Sequence, residues 1–356
     1  MHPTYTPILK ARWGELRALA EVDSAGRNTI TPLIDVPPLP QADPDDAEEG
    51  DPAPRRNPFP TMAERLSGAW AQTGPVWIDT GALGPDDYEF GDPHGYFVRE
   101  AADSGLRLVP VVRSNPRSAE RISSLGFRNG VVARLRSADF AVQVSDVLAR
   151  VASDTGVVAA DTDILIDLGS VPADAGESTY FTARQMLLAL PPRGWRSVTL
   201  AASTFPENLG MITGAGEARL PRGEWALWRR IRARSDWGFE VQFGDYGVSH
   251  PAFPAFGRTG PPSLRYTAGD VFLLVKRRRA SETQPFPYRD LARYVVSTPE
   301  YQRYGPSFSW GDGELARLAA QLEKGKGGKG WGGAKEWRKI GTSHHLAVVV
   351  QDIFGG

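Results

Sequence analysis

Several short apolar runs of this sequence end on a charged or hydroxylated residue: Lys10, Asp35, Asp79, Arg113, Arg134, Asp167, Ser203 and Asp245. Acids interleaved with lysine and arginine can hold a phosphate, pass protons to a substrate, or pair with one another to shape a polar pocket. Asp35, Asp79 and Asp167 also make a hard-oxygen set of the kind Mg²⁺ takes. Lys10 and Arg113, interleaved with them, oppose a bound cation, so no metal ligands are assigned and Mg²⁺ stays a secondary expectation. Each acid has a plainer role too, since Asp-Leu-Gly at Asp167 and Asp-Val-Pro at Asp35 are ordinary turn sequences.

FGDYG (Phe243–Gly247) sets a carboxylate and a phenol, Asp245 and Tyr246, between glycines that permit tight turns. It reads either as a strand-to-loop corner or as part of a site. His344 and His345 are adjacent, so they point about 100° apart in a helix, or oppositely in a strand, and do not easily share a metal. One of them, such as His345, would serve as a general base; the alternative is a histidine that caps or packs near a helix start. No H-E-x-x-H, G-x-S-x-G or Walker spacing occurs. Residues 271–340 hold 14 Lys or Arg against seven acids, peaking at Lys276, Arg277, Arg278 and Arg279, with Trp310, Trp331 and Trp337 near in sequence. Basic residues among aromatics can bind a nucleic-acid backbone and stack its bases; a solvated hairpin end paired to acids is the alternative.

The elements that must carry these residues read as alternating strands and helices. Strands are expected at Pro7–Lys10, Ile30–Asp35, Val76–Asp79, Leu108–Arg113, Val131–Leu135, Ile164–Asp167, Val198–Ala202 and Phe239–Phe243. Near-continuous apolar runs such as LVPVV and ILID suit strands buried on both faces, as in a parallel sheet. Helical periodicity runs over Gly14–Val22, Met62–Gln72, Phe140–Ala152, Phe181–Leu190 and Glu224–Arg232. About eight such units in roughly 250 residues fit a (β/α)₈, TIM-barrel-like fold. The first strand leads into KARWGE, which has no Gly-rich phosphate turn of the open doubly wound kind.

A proline-rich, acidic insertion covers Pro37–Pro60, with six acids from Asp43 to Asp51. The barrel is assigned to residues 1–255, and a basic, aromatic-rich extension packed on it to residues 256–356. That extension reads as a hairpin, LRYTA and VFLLVKR joined at Gly269, then helices at Pro287–Ser297 and Asp312–Glu323. GKGGKGWGG (Gly325–Gly333) reads as a loop, and His344–Ile353 as a helix or a strand.

With 41 Lys and Arg against 42 Asp and Glu, net charge is near zero, which argues against a DNA-coating protein. There is no cysteine, so no disulfide, thiolate metal site or Cys nucleophile. No apolar run reaches membrane-spanning length and the first residues do not read as a secretory signal, so a cytoplasmic protein is expected.

The segments YTPILKARWGELRAL and ITPLIDVPP, then FGDYG, RYT (Arg265–Thr267), FSWGD (Phe308–Asp312) and GTSHHL (Gly341–Leu346), resemble in their order the bacterial and phage "beta protein" family, nearly end to end. The resemblance implies a barrel-like chain and, for some members, a place near mobile elements and anti-phage loci. It singles out Lys10, Glu15, Asp245, Tyr246, Arg265, Tyr266, Trp310, Asp312, His344 and His345. The leading expectation is a component of bacterial anti-phage defence that recognises a phage or host protein, a partner subunit or nucleic acid. Lys10, Asp79, Arg113, Asp167, Asp245, Tyr246 and His345 are its candidate active groups. Arg134, Arg265, Tyr266, Lys276, Arg277, Arg278 and Trp310 are its candidate binding groups. The alternatives are a metal-dependent phosphoester or nucleotide hydrolase, and a non-catalytic scaffold for a neighbouring enzyme.

Overall fold

Eight parallel strands close on themselves in the computed structural model: β1 (Tyr5–Lys10), β2 (Leu33–Asp35), β3 (Pro75–Asp79), β4 (Arg107–Arg113), β5 (Val131–Leu135), β6 (Thr162–Ser170), β7 (Ser197–Ser203) and β9 (Val241–Asp245). β9 pairs with both β7 and β1, at Tyr5↔Phe243 and Pro7↔Asp245, which shuts the cylinder. The structure describes residues 4–38, 57–89, 91–114, 122–141, 143–192, 194–234, 236–253, 260–281, 286–322 and 330–355. Most of the acidic insertion, and the Gly-rich run up to residue 329, lie outside them.

The expected barrel is therefore present. Its strands alternate between two cores because successive side chains face opposite ways. Ile8, Leu33, Trp77, Val109, Val111, Val132, Leu165 and Ala201 fill the inside. Leu9, Ile34, Ile78, Val112, Ala133, Ile166, Leu200 and Phe243 face the surrounding helices. Those helices include α1 (Trp13–Ala20), α3 (Phe59–Trp70), α4 (Pro93–Ser104), α6 (Val144–Thr155), α7 (Glu177–Ala189) and α8 (Gly223–Arg232). Short helices α2 (Ser24–Arg27) and α5 (Ser137–Ala141) fill connections. α4 has little apolar periodicity, with Phe97 as its main buried apolar contact, which hid it from the sequence.

The helix that completes the unit of the eighth barrel strand arrives late. After β9 the chain builds a second sheet and three helices, α9 (Pro287–Val296), α10 (Pro299–Tyr304) and α11 (Trp310–Ala320). It then returns as α12 (Ala334–Phe354), which packs along α1 in the barrel's outer ring. His344–Ile353 is thus helical. The second sheet has the order β10 (Ser263–Ala268), β11 (Val271–Lys276), β8 (Gly216–Pro221), all antiparallel. Strand β8, GEARLP, comes from the loop after β7. It alternates between half-buried and exposed, a pattern too weak to read in advance. Residue 255 is therefore no packing boundary: β8, before it, pairs with β11, after it, and α12 belongs to the barrel's outer ring. None of the described helices is long and apolar enough to cross a membrane.

Two glycines let these layers touch. A Cβ on Gly341 of α12 would lie 2.6 Å from the Arg265 carbonyl of β10, and one on Gly311 of α11 would strike the Ile340 carbonyl. Gly341→Ala should cost about 1–3 kcal/mol through forced separation, read as a lower urea midpoint. Gly68→Ala on α3, where nothing lies within 4 Å, should gain about 0.5–1 kcal/mol from helix propensity. Equal responses from the two would refute the close-contact account.

Candidate functional site

The inward row of each strand ends, two residues beyond the apolar layer, on a polar side chain. This places Lys10, Asp35, Asp79, Arg113, Arg134, Asp167 and Ser203 at one end of the barrel. Arg134 is its centre, with no exposed side-chain surface. Nε donates to Asp167 Oδ2 at 3.0 Å, and Nη1 to Asp35 Oδ1 at 2.7 Å and Asp79 Oδ2 at 2.5 Å. Nη2 donates to the Tyr246 hydroxyl at 2.8 Å and lies 2.9 Å from Asp167 Oδ2. Tyr246 in turn donates to Asp167 Oδ1 at 2.7 Å. Arg113 Nη2 pairs with Asp79 at 3.0 Å, and Arg136 Nε with Asp167 at 3.2 Å. Three guanidiniums thus balance three carboxylates, which a buried ionic cluster requires.

Both readings of the Asp-x-Gly turns hold together. Asp79 accepts the Gly81 N–H at 2.8 Å and Asp167 the Gly169 N–H at 2.9 Å, while their other oxygens face Arg134. Asp35 is followed by Val36-Pro37, and proline has no N–H to give. Burial pushes the Asp35 carboxyl up, Arg134 opposes this, and the nearby Asp79 adds to it. Burial also acts to raise Asp79, but Arg113 and Arg134 overcome it and hold the carboxyl at about 2. Asp167 likewise ends below the usual range: burial is outweighed by Arg134, Arg136 and the Tyr246 hydroxyl. The Arg134 guanidinium fills the space between the three acids that a divalent ion would need. Among the described residues no group of three acidic or histidine side chains suits a metal.

Lys10 stands apart from this lattice. Its buried Nζ donates to the carbonyls of His250 at 2.9 Å and Ala252 at 2.5 Å and lies 5.2 Å from the Phe253 ring. Burial lowers its pKa to about 8.

Asp245 and His345 are not at the mouth. The strand expected over Phe239–Phe243 runs instead over Val241–Asp245. Asp245 therefore follows Phe243 on the outward row, and Tyr246 is the residue that turns in. Asp245 accepts from the Tyr5 hydroxyl at 2.7 Å and lies 2.9 Å from His345 Nε2. His345 Nδ1 meets Thr267 Oγ1 at 2.8 Å. His344 turns the other way, 2.8 Å from Asp312 and 2.7 Å from the Thr267 carbonyl, stacked on Tyr266 at 3.7 Å. Tyr266 donates to Asp312 at 2.7 Å. These groups form a buried seam joining β1 and β9 to β10, α11 and α12.

The candidate binding groups spread out. Arg134 is the hub itself, and Tyr266 belongs to the seam. Arg265 donates to the Val248 carbonyl at 2.7 Å and covers the Phe205 ring. Lys276 donates to the Ile212 carbonyl at 2.8 Å, Arg277 lies over Tyr294 at 4.2 Å, and Trp310 faces Lys339 at 3.5 Å. Of Lys276–Arg279, only Arg278 and Arg279 are exposed. Arg136, Tyr5 and Thr267 carry contacts that the sequence reading did not single out. Arg136 could have been found by stepping two residues on from Arg134.

Arg134→Met should take the close cation from Asp35, leave Asp79 and Asp167 with Arg113 and Arg136 alone, and cost about 3–5 kcal/mol in urea unfolding; an unchanged midpoint would contradict the hub. In acid, Asp79 and Asp167 have folded-state pKa values below their unfolded ones. The stability they supply is present above the unfolded carboxylate range and is lost as pH falls through the folded values, that of Asp79 lying at about 2. Asp35, raised, works the other way. Midpoints measured down this range should fall more steeply in the native chain than in Asp79→Asn.

Comparison with known proteins finds no match among curated proteins. Among solved structures, the chain is similar to a single-site mutant of the tryptophan synthase alpha-subunit from the hyperthermophile Pyrococcus furiosus. Identity is 13%, with 69% of this chain and 89% of that chain covered, at a TM-score of 0.35. The barrel assignment rests on the strand order itself and takes nothing from that likeness. The family model described as Beta protein matches residues 5–351, so the chain belongs to the Beta protein family.

Proposed function

We propose that this protein is a metal-independent recognition barrel whose mouth takes an anionic group, acting in a bacterial anti-phage system. The observation that carries the first part is the Arg134 guanidinium bonded to Asp35, Asp79 and Asp167 at once. It supplies the cation those acids need and leaves a finished floor. Above it, Arg136 is 54% exposed and Arg113 22%, giving the rim cationic surface suited to a carboxylate or phosphate. The hydrolase alternative needs a divalent ion where Arg134 stands. Nucleic-acid contact through Lys276–Arg279 has less support than its sequence suggested, since Lys276 and Arg277 are engaged within their own module. The defence setting, and with it a phage or host partner, rests on the family alone.

Thermal unfolding tests the reading. Inorganic phosphate or small carboxylates should raise the midpoint of the native chain through linkage, and by less in Arg136→Gln. Millimolar Mg²⁺ or Mn²⁺ alone should leave the midpoint where it is. A metal-induced rise, together with phosphoester hydrolysis that Asp79→Asn abolishes, would overturn the proposal in favour of the hydrolase.

A further inference from the structure

In its first 275 residues the chain uses arginine 26 times and lysine once, at Lys10. Arginine supplies a permanent charge; of the two, only lysine can become a nucleophile. Lys10 is 3% exposed and forms no ion pair among the described residues, although acids stand beside it in the ring. Its two hydrogen-bond acceptors, the His250 and Ala252 carbonyls, are as many as a neutral amine has hydrogens, and beyond them Nζ has the Phe253 ring at 5.2 Å. An ammonium would carry a third hydrogen. The side chain follows Ile8 on the inward row of β1, so it shares the level of the arginine lattice.

We propose that Lys10 is a carbonyl-capturing amine, forming an imine with an aldehyde or 2-oxo acid whose carboxylate the arginine rim holds. This rests on the reading of the mouth as an anion site. The lone pair adds to the carbonyl carbon, and one amine proton passes to the oxygen, giving a carbinolamine. The hydroxyl then leaves with the second proton as water, and the nitrogen closes the C=N bond. Amine and carbonyl thus become imine and water, with no oxidant or reductant. Burial favours the neutral amine. Of the charged groups facing it, Arg12 and Arg338 help, while Glu15 and Asp35 oppose.

The probe is glyoxylate with cyanoborohydride, which reduces any imine in place, followed by peptide mapping of the chain's seven lysines. Labelling should saturate with glyoxylate at Lys10. It should run about tenfold or more faster there than at Lys335 or Lys339, and climb with pH as the amine deprotonates. Lys10→Met should lose that label alone. Labelling at Lys10 no faster than at the other lysines would overturn the inference. Glyoxylate without reductant reads the mouth separately, as a thermal shift reduced in Arg136→Gln. A shift without Lys10 labelling sinks the imine and spares the anion site; neither sinks both.

Discussion

Charge balance around one buried guanidinium constrains everything at the mouth of this barrel. Arg134 has no exposed side-chain surface, and each of its nitrogens meets an oxygen. Such a cluster need not add net stability, because desolvating Arg134 and its three carboxylates offsets much of their attraction. It adds definition: any displacement of β2, β3 or β6 breaks a bond to the hub and exposes a carboxylate to a poor environment. The three strands are thereby tied together at their C-terminal ends.

Hydrogen bonds through two adjacent histidines fasten the late segment to the barrel. Thr267 is bonded to both histidines, through its hydroxyl to His345 and its carbonyl to His344. Each histidine then reaches a different acid, Asp245 on the barrel and Asp312 on α11. Adjacent helical positions diverge, so the pair cannot serve one site but can link two. The apolar core of the module surrounds this chain of bonds with Tyr266, Leu315 and Ile340, where the low dielectric strengthens each of them.

How much of this was legible depended on period and range. Strands buried on both faces announce themselves as apolar runs, and all eight barrel strands lie within three residues of where those runs stand. The ring at the mouth followed from the same pattern, because a parallel barrel brings all C-terminal strand ends together. What the sequence could not give was partner identity. Asp79, Asp167 and Arg134 were visible as neighbours on a rim, but their bonding to one another is a matter of side-chain length and direction. β8 escaped because an edge strand with one half-buried and one exposed face carries no apolar run. α4 escaped because one phenylalanine does most of its packing.

The slip at β9 has the largest consequence. Ending the strand at Phe243 leaves the orientation of Asp245 open; ending it at Asp245 fixes that side chain outward and Tyr246 inward, since parity alternates along a strand. Two consecutive residues therefore serve two networks, Asp245 the histidine seam and Tyr246 the arginine lattice. One peptide joins them, and the Gly247 N–H bonded back to Asp245 at 2.9 Å tightens the corner. The C-terminal module thus holds one wall of the mouth in place through a single turn of backbone. A barrel without the module would lose the His345 bond to Asp245, leaving the corner to Tyr5 and the aim of Tyr246 to its own bonds with Asp167 and Arg134.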